Sequence, residues 1–320
     1  MKTDPFESPR RPDLLNRPRA TDGKSLEERA RGPAPMGNTS GSSATAPTEE
    51  TLPDTAFVER EPRYRMPDLA VSADTRQALQ LVLDRVRHHH TLYETWGLRE
   101  IDPYSAHRSV NLYGPPGTGK SMCAEALAAE FGLRIIDIDY AEIESKYVGE
   151  TPKKIRAAFR LAAESGAVLF FDEADSVLGR RMTEVTQASD QSVNVSRAVM
   201  LKEMDRHQGI VIFATNLAKN FDAAFVRRIL LHVEIALPDL ASRKTIWNRF
   251  VPVRVPGRAT LDWARLAERS DGLSGGDIKN AAIIALTSAV ARSDARVTDT
   301  DCLLAIEHIR RGKQAVGTTP

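Results

Sequence analysis

The residues best equipped for chemistry in this chain of 320 fall between Gly114 and Ser121. The run Gly114-Pro115-Pro116-Gly117-Thr118-Gly119-Lys120-Ser121 has the pattern G-x-x-x-x-G-K-S. Its glycines let the backbone turn N–H groups inward with no Cβ in the way. Such N–H groups, with the positive end of a following helix, hold nucleotide phosphates. Lys120 is suited to reach the β- and γ-phosphates, and the Ser121 hydroxyl to contact Mg²⁺. A second pair of groups is Asp172-Glu173. Asp172 fits a water-mediated Mg²⁺ contact, and Glu173 fits the group that orients and polarises an attacking water. Asn216 is suited to hold that water or to touch the γ-phosphate.

Each group follows a stretch that reads as a strand. Val110–Tyr113 is short and β-prone, and the helix-forming run Met122–Phe131 comes directly after the glycine-rich loop. Ala167–Phe171 is continuously apolar, as a central parallel strand buried on both faces requires, and Asp172-Glu173 lies at its carboxyl end. Gly209–Ala214 is a second buried strand, ending in Thr215-Asn216. The carboxyl ends of parallel strands are where α/β sheets take ligands. Leu133–Ile138 and His232–Ala236 read as further strands. Helical patterns cover Thr151–Glu164, Asp190–Arg206 and Asp222–Arg228, the last carrying Arg227 and Arg228. Ser72 can cap a helix through Leu79, Leu83 and Val86, which leaves His88-His89-His90 near its polar C-terminal end. After Pro238 the pattern is all helical: Asp239–Phe250, Leu261–Arg269, Ser274–Arg292 and Thr298–Arg311. That arrangement suggests a small separate lid.

Residues 1–65 hold nine of the eighteen prolines and read as a disordered arm, too poor in apolar surface to offset the cost of ordering. Expected boundaries are therefore 1–65 for the arm, 66–238 for an α/β ATPase unit, 239–312 for the lid and 313–320 for a flexible tail. Net charge is +1, so no global field points to nucleic acid or an anionic membrane. No apolar run approaches the ~18 residues of a membrane span. The N-terminus has no apolar signal region, and Asp4, Glu7 and Asp13 argue against an acid-poor transit peptide. Cys123 and Cys302 fit no metal spacing. The expectation is a cytoplasmic protein with no membrane contact.

Taken in order, these motifs resemble a single module of the AAA clade of AAA+ ATPases, over residues 66 to 311. Gly114–Ser121 resembles the Walker A loop, Asp172-Glu173 the Walker B carboxylates, and Ala214-Thr215-Asn216 the sensor-1 segment. Arg227-Arg228 resembles the paired arginine fingers, although Ile229 stands where the family usually has Phe. Gly272–Asp277 resembles the lid turn, with Gly276 in place of a usual Ala. The resemblance implies an α/β P-loop fold with a parallel sheet and a helical lid, and ATP with Mg²⁺ as cofactors. It extends the nucleotide site to Pro115, Pro116, Thr118, Met122 and Gly276, with Ser121 and Asp172 at the metal. It also implies a homo-hexamer, with Glu173, Asn216, Arg227 and Arg228 in catalysis. In this picture Lys146, Tyr147 and Val148 form a pore loop that grips an extended protein substrate, Tyr147 stacking on it.

Such a module points to an ATP-driven remodeller that threads or disassembles a protein, directly or through a separate adaptor. Similar proteins include katanin, spastin, the vacuolar-sorting group and the remodellers of HORMA-domain proteins, among them compact bacterial ones that reset antiviral signalling. Docking to a proteasome-like chamber is disfavoured by the ending Thr318-Thr319-Pro320. The alternatives are a nucleic-acid motor and a nucleotide-gated scaffold. Eleven basic and eleven acidic side chains in residues 1–65 disfavour the first, and the intact Glu173, Asn216 and Arg227-Arg228 set disfavours the second.

Overall fold

The computed structural model describes residues 57–102, 107–143, 150–179, 188–216, 221–229, 231–315 and 317. One six-stranded sheet organises them. Its strands are β1 (Glu59–Arg60), β2 (Arg108–Tyr113), β3 (Ile135–Asp139), β4 (Val168–Asp172), β5 (Ile210–Thr215) and β6 (Leu231–Glu234), in the order β1-β3-β4-β5-β2-β6. All neighbours are parallel except β1, which pairs antiparallel on β3. The register Tyr113↔Thr215 between β2 and β5, and Asp139↔Asp172 between β3 and β4, aligns the carboxyl ends along one edge. The Gly114 loop, Asp172-Glu173 and Asn216 all leave the sheet there.

The continuous apolar runs are strands because both faces of the sheet are covered. Leu169, Phe171, Val211 and Phe213 face a core shared with α5 (Glu150–Ser165) and α7 (Ala188–Arg206). Phe171 and Phe213 stack there at 5.5 Å between ring centroids. Leu112, Val168, Phe170 and Ile212 face the other core, with α1 (Ala73–Arg87) and α3 (Lys120–Phe131). Ser72 caps α1, accepting from Thr75 N at 3.2 Å. The shorter helices are α2 (Leu98–Ile101), α4 (Tyr140–Ile143), α6 (Asp175–Leu178) and α8 (Ala223–Val226).

Beyond the sheet, α9 (Leu240–Phe250), α10 (Trp263–Arg269), α11 (Gly275–Val290) and α12 (Asp299–Ala315) bury a third core. Trp247, Leu266, Leu273 and Ile278 fill it, and the Trp247 indole donates to Ser270 Oγ at 3.1 Å. No described helix is long and apolar enough to cross a membrane.

Three expectations need correction. The unstructured arm was expected to reach residue 65, yet residues 57–65 belong to the fold. Phe57 packs on the first core, and Arg60 ion-pairs with Glu125 at 2.9 Å and Asp137 at 2.7 Å. These partners are far away in sequence, so local composition carries no trace of them. Residues 1–56 lie outside the described residues. At the other end, the flexible tail was expected from residue 313, but α12 runs through Gly312 to Ala315 because Lys313 is paired with Asp277 at 2.7 Å. Finally, His89 is not on a polar helix end: it is buried, stacked on Tyr93 at 4.7 Å, with Nδ1 3.3 Å from the Arg108 guanidinium.

Candidate functional site

At the end of β2 the chain needs backbone shapes that only glycine adopts cheaply. Gly114 has φ +150°, and a Cβ there would lie 2.3 Å from the Ile235 carbonyl oxygen. Gly117 has φ +77°, and its Cβ would lie 2.7 Å from Ser274 Oγ. Gly119, at φ +100°, is the N-cap of α3, so the loop feeds directly into a helix N-terminus. Thr118 Oγ1 donates to the Pro115 carbonyl at 2.9 Å and closes the loop on itself. Pro115 and Pro116 are exposed at its tip, while Met122 packs under it on the α1–α3 side of the sheet.

Lys120 is only 8% exposed. Its ammonium donates to the carbonyls of Gly114 at 2.9 Å and Pro115 at 3.1 Å, and to Asn216 Oδ1 at 2.7 Å. Burial pulls its pKa below the ordinary lysine value, with Asp172 and Asp175 acting in the opposite sense. Ser121 Oγ donates to Asp172 Oδ2 at 2.6 Å. Asp172 Oδ1 accepts the backbone N–H of Glu173 at 2.9 Å. Glu173 itself has φ +51°, one of two described non-glycine residues at positive φ. A left-handed residue of this kind costs roughly 1–3 kcal/mol and is typical of working sites. Its side chain is exposed at the sheet's edge.

Three segments, each leaving a strand end, thus meet: the loop with Lys120 and Ser121 after β2, Asp172 with Glu173 after β4, and Asn216 after β5. A fourth participant was not anticipated. Asp175, at the start of α6, accepts the Asn216 backbone N–H at 2.8 Å and the Thr215 hydroxyl through the same Oδ1. Ala174 N donates to the Ala214 carbonyl at 2.9 Å, tying the β4 end to the β5 end. Asp175 therefore sets the position of Asn216. The only signal in the sequence was a third carboxylate in Asp172-Glu173-Ala174-Asp175.

The helical segment closes the loop from above. Gly276 N donates to the Gly117 carbonyl at 2.9 Å, and a Cβ on Gly275 would lie 3.4 Å from that oxygen and 3.6 Å from Ile246 Cδ1. Ser274 caps α11, paired with Asp277 in a capping box. The strand-like segment before α1 runs between the two: Leu69 and Val71 pack on the sheet side, Ala70 on the helical core. Ser274 lies in the Gly272–Asp277 turn that the sequence marks, whereas Ile246 and residues 69–71 are additional walls that no local pattern marked.

The two arginines after α8 part company. Arg228 forks onto Asp205 at the end of α7, Nε to Oδ1 at 2.6 Å and Nη2 to Oδ2 at 2.9 Å, and also donates to the Ala224 carbonyl at 3.1 Å. Arg227 is exposed and makes no ion pair among the described residues. The expected pore residues Lys146, Tyr147 and Val148 lie outside the described residues.

The donor set suits a Mg²⁺–nucleotide. Glycine positions that a Cβ would fill bring backbone close to an incoming phosphate, a buried ammonium faces it, and the hydroxyl–carboxylate pair Ser121–Asp172 supplies hard oxygen ligands.

Residues 110–237 match the sequence model of the ATPase family associated with various cellular activities (AAA). The chain is 34% identical over 218 residues to the 26S proteasome subunit RPT4 of Saccharomyces cerevisiae, covering 66% of this chain and 49% of the relative. It is 34% identical over 243 residues to the proteasome-activating nucleotidase of Pyrococcus horikoshii, with 74% and 58% covered. It is 30% identical over 297 residues to spastin of Drosophila erecta, with 87% and 38% covered. The chain thus spans about half the length of the first of these relatives. With the phosphate loop, the paired carboxylates and Asn216 all inside the matched region, residues 110–237 form a domain of the AAA family of ATPases.

Proposed function

We propose that this chain hydrolyses ATP and uses the energy to remodel a protein substrate. The observation that carries the reading is the convergence of two hydrogen-bonded pairs, Lys120 with Asn216 at 2.7 Å and Ser121 with Asp172 at 2.6 Å, at the carboxyl edge of the sheet. In this reading residues 57–238 form the nucleotide-binding unit and residues 239–315 the lid. Backbone N–H groups from Gly114 to Ser121 and the Lys120 ammonium hold the phosphates, while Ser121 and, through water, Asp172 hold Mg²⁺. When bound, the metal neutralises charge on the phosphates. Glu173 orients and polarises the attacking water, and Asn216 fixes its far side. Six copies form a ring in which Arg227 reaches the neighbour's nucleotide, and Lys146, Tyr147 and Val148 grip the substrate in the pore. The relatives named above, a proteasome subunit, a proteasome-activating nucleotidase and spastin, support protein remodelling as the class of work. A cytoplasmic setting, a separate adaptor and a HORMA-domain substrate are the finer parts of the proposal.

The test pairs turnover with trapping. Wild type should release phosphate from ATP, Lys120→Ala should bind no nucleotide, and Glu173→Gln should retain ATP unhydrolysed. Affinity capture with Glu173→Gln plus ATP should enrich a protein that is lost when Tyr147→Ala is added. Rapid turnover by Glu173→Gln would remove Glu173 from its role, and a captured partner indifferent to Tyr147 would remove the pore reading.

A further inference from the structure

The turn at residues 271–277, which brings Gly276 to the phosphate loop, is gripped at both ends by the last turns of α12. Arg310 Nη2 donates to the Asp271 carbonyl at 2.9 Å. Lys313 Nζ donates to Asp277 Oδ2 at 2.7 Å. Three residues apart, the two cations share one helix face. Asp271 is held from the other side as well, its carboxylate pairing with Arg243 of α9 at 2.9 Å.

Asp277 passes the contact inward. The oxygen that accepts Lys313 also accepts Ser274 N at 2.9 Å and Ser274 Oγ at 2.8 Å. Ser274 Oγ in turn accepts Asp277 N at 3.2 Å, and it stands 2.7 Å from where a Cβ on Gly117 would lie. The next residue but one, Gly276, donates its N–H to the Gly117 carbonyl. Burial alone would raise the Asp277 carboxyl; the hydrogen bonds from Lys313 and Ser274 reverse this and hold it below the ordinary Asp value. Both partners are largely shielded, with side chains 25% and 18% exposed, so the contact is more than a surface ion pair. An unbroken series of bonded groups therefore runs from the end of α12 to the backbone of the phosphate loop.

We infer that Lys313, with Arg310, is a positioning residue for the nucleotide: α12 clamps the 271–277 turn against Gly117 and so sets nucleotide affinity. This rests on the proposed nucleotide site. The bonds from Arg310 and Lys313 described above go to the 271–277 turn, so their action is on binding in ground and transition state alike. That predicts a change in KM with kcat kept.

The test measures the Kd of a fluorescent ADP analogue for the full chain as wild type, Lys313→Met, Lys313→Arg and Lys120→Ala, with ATPase kinetics and apo melting alongside. Lys313→Met should raise Kd and KM about fivefold with kcat within about twofold of wild type. Lys313→Arg, which keeps the cation, should stay within about twofold of wild-type Kd. A wild-type Kd in Lys313→Met, or a fall in apo melting temperature with Kd unchanged, would overturn the inference while leaving the nucleotide site standing. If wild type fails to bind ADP, or Lys120→Ala binds as tightly, the nucleotide reading falls and this inference falls with it.

Discussion

Arg227 and Arg228 are adjacent and chemically identical, yet the structure gives them different surroundings, and substitution should separate them. Arg228→Ala removes a bidentate fork onto Asp205 and a bond to the Ala224 carbonyl. Hydrogen bonds to charged groups contribute ~1.5–3 kcal/mol when shielded, and exposed ion pairs ~0.2–1 kcal/mol. The side chains are 21% and 40% exposed, so the pair lies between these limits, and a loss of about 1–2 kcal/mol is expected. Arg227→Ala removes an exposed side chain and should change stability by less than about 0.5 kcal/mol. Urea denaturation at pH 7 reads both. The activity pattern should run the other way: Arg227→Ala should lower kcat by ~10³ or more if it completes a neighbour's site. Mixing then supplies the decisive readout. Arg227→Ala subunits keep a working nucleotide site, and Lys120→Ala subunits keep the arginine, so a mixture should regain turnover that neither shows alone. Were Arg227→Ala the destabilised variant, or were the mixture inactive, the division of labour between the two arginines would be wrong.

Asp175→Ala should lower kcat at least about tenfold and cost roughly 1–3 kcal/mol, because the Asn216 N–H and the Thr215 hydroxyl lose their shared acceptor; Asp175→Asn, which keeps an oxygen there, should retain most of both in the same kinetic and urea assays. Gly114→Ala should lose about 3 kcal/mol and its ADP-induced thermal shift, since the new Cβ meets backbone rather than a movable side chain. His207, packed edge-on to Phe159 at 5.3 Å, is pulled by burial from 6.5 down to about 4. The unfolded chain therefore binds the proton first as pH falls, and stability is lost from about pH 6.5 down to about 4, reaching ~2 kcal/mol at pH 5. Urea melts at pH 7 and pH 5 should show that much less acid sensitivity in His207→Phe, and an equal slope in both proteins would refute the account.

The parts of the fold that were readable in the sequence are those whose cause is local. The loop at Gly114–Ser121 declares itself because left-handed backbone demands glycine where it occurs. The strands β4 and β5 declare themselves because burial on both faces demands unbroken apolar runs, and the position of Asp172-Glu173 and Asn216 follows from where those runs end. The hidden parts have causes elsewhere in the chain. Strand β1 is two polar residues, Glu59 and Arg60, held in the sheet by Arg60 reaching Glu125 and Asp137, which are 65 and 77 residues away. Asp175 reads as one more acidic residue until β4 and β5 lie side by side and its carboxylate meets the Asn216 N–H. Gly312 reads as a stop, yet α12 continues because Lys313 finds Asp277 36 residues earlier. The arginine pair makes the same point most sharply. Nothing in the string Phe225-Val226-Arg227-Arg228 distinguishes its two cations; the distinction arises only when α8 ends beside α7 and Asp205 is within reach of one of them. Residue type thus announced the chemistry, while the assignment of each group to binding, positioning or support depended on partners that only the tertiary fold brings together.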